Sequence, residues 1–112
     1  MTRFEPGDVV LVPFPFTDQS ATKKRPAVVI SSKAYNTERP DLVIMAVTSQ
    51  LKSTPILGEV IVQDWQAAGL LKPSAIKPVI TTIEKPLVIR TMGRLQDRDQ
   101  QALQDALKII LG

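Results

Sequence analysis

The feature that most constrains this chain is an uninterrupted run of β-forming residues set directly behind a cluster of fixed positive charge. Lys23, Lys24 and Arg25 precede Pro26, and Ala27, Val28, Val29 and Ile30 follow it. The ring of Pro26 crowds the backbone before it and disfavours helix at Arg25. Arg25 is therefore expected to be extended, at the mouth of a strand over 27–31. Apolar residues in succession, without alternation, read as a strand buried on both faces. A guanidinium carried by such a strand is held in place, and we read Arg25 as a phosphate-binding residue. The plain alternative is a solvated basic loop tip before a core strand.

The length of 112 residues predicts one domain, 1–112. A hydrophobic fraction of 44% with 22% charged residues suits a folded globular chain. The net charge of +3 permits an anionic partner without demanding one. The chain has no cysteine, which excludes disulfides, thiolate chemistry and Cys-ligated zinc, and no histidine, which removes the usual general base and a common metal ligand. No metal or cofactor is expected. Any catalysis falls to carboxylates, hydroxyls, Tyr35, lysine or arginine. The opening Met-Thr-Arg-Phe-Glu-Pro has no apolar signal region and no stretch approaches membrane-spanning length, so a cytoplasmic protein without a membrane partner is expected.

Along the chain, Gly7-Asp8 launches a strand over 9–13. Pro13 and Pro15 suit an edge strand or its exit. Phe14 and Phe16 share a face if the chain stays extended, as core plugs or as a stacking platform for a base. Residues 17–24 and 33–41 read as loops. A third strand over 42–47 runs into Thr48, Ser49 and Gln50, three hydrogen-bonding side chains in succession. They serve either as turn chemistry or as a polar floor for a phosphate or ribose beside Arg25. Further strands are expected over 58–62, over 74–83 (one or two around Pro78) and over 87–95, interrupted by Gly93. Residues 64–69 read as one helical turn, capped by Asp64 and stopped by Gly69, with Trp65 packing it down. The helix is expected over 97–111, with a capping box from Asp97 to Gln100 and an apolar face of Leu103, Ala106, Leu107, Ile110 and Leu111. Asp97, Asp99 and Asp105 are read as helix-terminus and surface acids, not as metal ligands. Short strands with Gly/Pro turns and one terminal helix make a mainly β fold: a small antiparallel barrel or sandwich with a helix against it.

Several segments resemble one known family. They are Gly7-Asp8-Val9-Val10, Pro13-Phe14-Pro15-Phe16-Thr17-Asp18, Lys24-Arg25-Pro26-Ala27-Val28-Val29-Ile30-Ser31, Thr48-Ser49-Gln50, Asp64-Trp65, Ala68-Gly69-Leu70, Ser74, Thr82-Ile83-Glu84-Lys85 and Gly93-Arg94-Leu95. In that order they are similar to the PemK/MazF toxins of type II toxin–antitoxin systems. The resemblance implies an SH3-like β-barrel with a C-terminal helix, usually a homodimer. It implies a ribosome-independent endoribonuclease that cuts single-stranded RNA (mRNA) without a metal, leaving a 2′,3′-cyclic phosphate and a 5′-hydroxyl. It also implies a cognate antitoxin that blocks the RNA groove. Arg25 and Thr48 match the family's catalytic arginine and threonine. Lys23, Lys24, Ser49, Gln50, Phe16, Thr17, Asp18 and Lys77 are the candidate substrate-binding residues. Where PemK-type members carry an arginine and an aspartate before the Thr-Ile segment, Lys77 is the one charge here. Asp18, Glu38 and Glu84 are the carboxylates open as general base. Two other readings remain: a CcdB-like gyrase poison, and a catalytically silent member that binds RNA or antitoxin. The inward reading of Ile109, Ile110 and Leu111 as core counts against the first of these.

Overall fold

The computed structural model describes residues 3–14, 23–54 and 56–112. Its strands are β1 (Asp8–Phe14), β2 (Lys23–Val29), β3 (Asp41–Thr48), β4 (Val60–Ile61), β5 (Ala75–Glu84) and β6 (Arg90–Arg94). Its helices are α1 (Lys33–Glu38) and α2 (Asp97–Leu111), and a 3-10 turn, Lys85–Leu87, separates β5 from β6. The strands form one antiparallel sheet in the order β4-β5-β3-β2-β1-β6, curled into a half-barrel. The mainly β fold with a C-terminal helix is thus the observed one.

The run behind Arg25 explains the layering. Ala27, Val28 and Val29 are each 0% exposed although successive side chains point to opposite faces. Val28 joins Val9, Met45 and Ile76 on the face covered by Leu103 and Ala106 of α2. Ala27 and Val29 join Val10, Val12 and Ile44 on the other, closed by Phe4, Ile83 and Val88. The prolines sit where a ladder partner is missing. β6 pairs with β1 only as far as Leu11, so Pro13 has β2 alone beside it. β3 joins β2 only from Ala27, one residue past Pro26.

Several expectations are corrected. β2 starts at Lys23, so Arg25 lies inside the strand, paired with Val12, and not at its mouth. Residues 33–38 form a helix, not a loop, because the Ser32 hydroxyl accepts from the Tyr35 N–H and caps it. Six residues are too few to show helical periodicity. α2 has the expected bounds, but Gln96 is its N-cap and no capping box forms. Gln100 instead donates its amide to the Leu95 carbonyl at 2.7 Å. Ile109 and Leu111 are 57% and 70% exposed, so they are not core.

The 64–69 turn is present: the Ala68 N–H donates to the Asp64 carbonyl at 3.0 Å and Gly69 ends it at φ +87°. Gly69 and Gly93 also let two backbones meet. A Cβ on Gly93 would lie 2.3 Å from the Ala68 carbonyl oxygen, and one on Gly69 2.2 Å from that of Met92. The Asp64 carboxylate does not cap its own turn but grips Arg98 through two hydrogen bonds of 2.7 and 2.8 Å. Asp99, 1% exposed, accepts from the Gln63 and Asp64 N–H groups, both at 2.8 Å. One carboxylate on α2 thus fastens the β4–β5 connection to the helix. On the far side Asn36, 3% exposed, donates to the carbonyls of Phe4 and Ser31, both at 3.0 Å, and its side-chain oxygen accepts from the Ser31 hydroxyl.

Asp99→Ala leaves two N–H groups without an acceptor and should lower the unfolding free energy by about 3 kcal/mol in urea titration. Hydrogen bonds from Arg98 hold the Asp64 carboxyl below its ordinary range, against a smaller opposing effect of desolvation. A depressed carboxylate pKa adds stability that is complete above the unfolded value, about 4, and is lost as pH falls through the folded value. The denaturation midpoint should therefore fall on acidification, and Asp64→Asn should flatten that fall.

Candidate functional site

Arg25 and Thr48 arrive at the same place through strand register. Ala27 pairs with Ala46 across β2 and β3. The pairing ends there, and two residues further along each strand stand Arg25 and Thr48, on the face that Ala27 and Ala46 share. Both side chains line a hollow of about 300 Å³ together with Ala46, Val47, Gln50, Lys77 and Val79.

The hollow exists because β5 carries extra residues. Met45 pairs with Ile80 and Val47 with Ile76, so Lys77, Pro78 and Val79 face the single residue Ala46. Two surplus residues must loop out of the ladder, and a bulge of this kind bends the strand and re-aims its side chains. Pro78, with no N–H to offer, is suited to the unpaired position. Lys77 is thereby turned into the hollow that Arg25 and Thr48 line.

At the end of β3 the Thr48 hydroxyl oxygen accepts from the Gln50 N–H at 3.1 Å. That bond tightens the turn and uses only an acceptor lone pair, so the O–H can still donate toward the hollow. The arrangement is two cations, a hydroxyl and a carboxamide above a floor of alanine and valine. It can hold an anion through charge and directed hydrogen bonds, with an apolar surface beside it.

Four sequence-predicted residues, Arg25, Thr48, Gln50 and Lys77, therefore meet. Lys24 and Ser49 line a second hollow that also includes Arg25. Lys23, at the exposed start of β2 opposite Phe14, lines neither. Phe16, Thr17 and Asp18 lie outside the described residues. Two of the candidate bases are misplaced. Glu84 pairs with Asp41, at the opposite end of β3 from Thr48, and Glu38 lies just before that same end. Seven residues of strand put Glu84 roughly 20 Å from the hollow. Among the described residues no carboxylate lines either hollow. Ala46, Val79 and Lys72 were missed by the sequence reading. The proline within an otherwise β-forming stretch was the available signal for a bulge that would expose Val79.

The sequence profile of the PemK-like, MazF-like toxins of type II toxin–antitoxin systems matches residues 5–111. The chain belongs to this family. A comparison with curated protein sequences finds no match. Among solved structures, an endoribonuclease from a Mycobacterial species in complex with its cognate antitoxin superposes with a TM-score of 0.76 at 18% identity, covering 100% of this chain and 96% of the other. A MazE-MazF structure from Deinococcus radiodurans gives 0.78 at 20% identity, with 99% and 98% covered. The Mycobacterium tuberculosis toxin MazF-mt6 gives 0.73 at 18% identity, with 91% and 93% covered. At these identities the likeness is one of fold, and it spans nearly the whole of each chain.

Lys77→Met keeps the side chain's stem and removes its charge. Unfolding free energy should stay within about 0.5 kcal/mol of the parent. The protein should elute from a heparin column at lower salt, by a larger step than Lys33→Met on α1 produces.

Proposed function

We propose that the protein is a toxin endoribonuclease that cuts single-stranded RNA, mRNA among it, by attack of a ribose 2′-hydroxyl on the adjacent phosphorus. The observation that carries this reading is the convergence of Arg25, Thr48 and Lys77 on one hollow. Family membership and the names of the structural neighbours, an endoribonuclease and a MazF toxin, support it.

The nucleophile belongs to the substrate. The 2′-oxygen forms a bond to phosphorus as the bond from phosphorus to the 5′-oxygen breaks. The products are a 2′,3′-cyclic phosphate and a 5′-hydroxyl. The 2′-hydroxyl loses its proton and the departing 5′-oxygen gains one. Arg25 can hold two non-bridging oxygens at once with its planar fork. Thr48 donates its O–H to the same phosphate and orients it. Lys77 adds a second charge against the phosphorane. Strand position removes Glu38 and Glu84 as the base, and Asp18 lies outside the described residues. The reaction uses no metal in this scheme. DNA lacks the nucleophile, and RNA within a duplex resists because the attack needs a splayed backbone.

We also infer a cytoplasmic homodimer neutralised by a cognate antitoxin. The neighbour from a Mycobacterial species is in complex with its cognate antitoxin, and those from Deinococcus radiodurans include a MazE-MazF structure. Exposed Leu57, Ile61 and Ile109 around a groove between β4 and α2 offer a second copy an apolar surface to cover. Among the described residues no helix is long and apolar enough to cross a membrane.

One observation favours a second reading, a gyrase poison. The end of α2 presents Ile109 and Leu111 outward, as a protein-binding terminus would.

The test is incubation with a long single-stranded RNA in EDTA, followed by mapping of the 5′ ends. Discrete cuts with 5′-hydroxyl ends are expected, slowed about 100-fold by Arg25→Ala. Cuts that need added divalent cation sink the metal-free scheme. Toxicity in cells that survives Arg25→Ala, with no cuts in the RNA, selects the gyrase reading.

A further inference from the structure

Arg25 stands between two hollows. The second, of about 250 Å³, is lined by Lys24, Ser49, Leu71, Lys72 and Met92 as well as by Arg25. Alternation along β2 sets Lys24 on the face of Val28, toward α2, whereas Arg25 shares the face of Ala27. The two hollows therefore open on opposite faces of the sheet, at the end where β2 and β3 run out, and Arg25 and Val47 line both.

Lys72 is set there by the fold. Leu70 is buried in the core, and the Ser74 hydroxyl donates to the Lys72 carbonyl at 2.8 Å. The short turn between these two anchors carries Leu71, 81% exposed, and Lys72. Neither Lys24 nor Lys72 has a carboxylate partner among the described residues. Two lysines beside leucine and methionine suit a ligand that alternates anionic groups with flat apolar ones. A polynucleotide strand has that chemistry, and one crossing Arg25 would enter this hollow next.

We propose that the second hollow is a nucleotide subsite of single-stranded RNA, with Lys72 and Lys24 on the phosphate next to the one at Arg25 and the base against Leu71 and Met92. The proposal rests on the reading that the Arg25 hollow receives RNA. It adds Lys72 as an RNA-binding residue outside the reacting centre. The strand thus bends around the end of the sheet, with the reacting phosphate at the bend. Such a path gives the splayed backbone that in-line attack requires.

The test uses a short fluorescent RNA of mixed sequence with every 2′-hydroxyl methylated, which binds without being cut. Lys72→Ala should weaken its binding about five-fold at fixed salt. The slope of log affinity against log salt should become shallower by about 0.7, the value for one phosphate contact on a single strand. Lys72→Arg should restore both, and Lys33→Ala should change the slope less. On cleavable RNA, Lys72→Ala should raise KM and leave kcat unchanged. Unaltered affinity and slope in Lys72→Ala overturn the proposal. So does a Lys72-dependent affinity for polyglutamate with none for RNA, which would make the hollow a peptide site. Lys72-dependent RNA binding by a protein that cuts nothing would uphold the subsite and refute the nuclease reading. Cutting that is indifferent to Lys72 would do the reverse.

Discussion

The burial of β2 on both faces is the constraint on which the rest of the structure depends. A strand with Ala27, Val28 and Val29 each fully covered must sit inside a sheet, between two neighbours, with an apolar layer on either side. α2 closes one layer, and Phe4 with the end of β5 closes the other. Fully burying a valine is worth roughly 1.5–3 kcal/mol, and a one-residue slip would move every one of these side chains to the wrong face. The register of β2 against β1 and β3 is therefore strongly specified. Arg25 takes its position from that register. The guanidinium is placed by the packing of residues that never touch a ligand.

The site is built where the ladder fails. Between Val47 and Met45 the β3–β5 pairing gives way, and the surplus among Lys77, Pro78 and Val79 opens a hollow beside the buried strands β2 and β3. Local consistency is broken at one place and supported by the continuous pairing on either side of it. A flat ladder there would bring Ala46 against its partner and leave no space. The same economy operates at Gly69 and Gly93, where two backbones approach too closely for any Cβ and so fix the loop that carries Leu71 and Lys72.

Buried polar groups do the fastening. Asp99 holds the backbone N–H groups of Gln63 and Asp64, where the 64–69 turn begins, and Asn36 ties the N-terminal segment to the start of α1. Each replaces water for groups that would otherwise be stranded. Neither announces itself in the sequence. Asp99 reads as a first-turn helix acid and Asn36 as a loop residue, because the Gln63 and Asp64 N–H groups and the Phe4 carbonyl that they serve lie between 32 and 36 positions away.

The sequence by itself determined the strands around 9–13 and 42–47, the buried stretch 27–29 of β2 though neither of that strand's ends, the helix over 97–111 and the stop at Gly69. These follow from local chemistry: apolar runs, helical periodicity, and a backbone angle suited to glycine. It also pointed to Arg25 and Thr48, since the motifs around them are contiguous and specific. Only the tertiary structure decided what these residues meet. Arg25 and Thr48 come to one hollow where the β2–β3 pairing ends. Lys77 joins them through a two-residue surplus visible only when β3 and β5 are paired. Glu38 and Glu84 are carried to the far end of the same strand. The outward turn of Ile109 and Leu111 was equally out of reach, since a helix shows its apolar positions in sequence but not how much of the sheet it covers. Register, bulge and coverage are relations between segments far apart in the chain, and no local pattern encodes them.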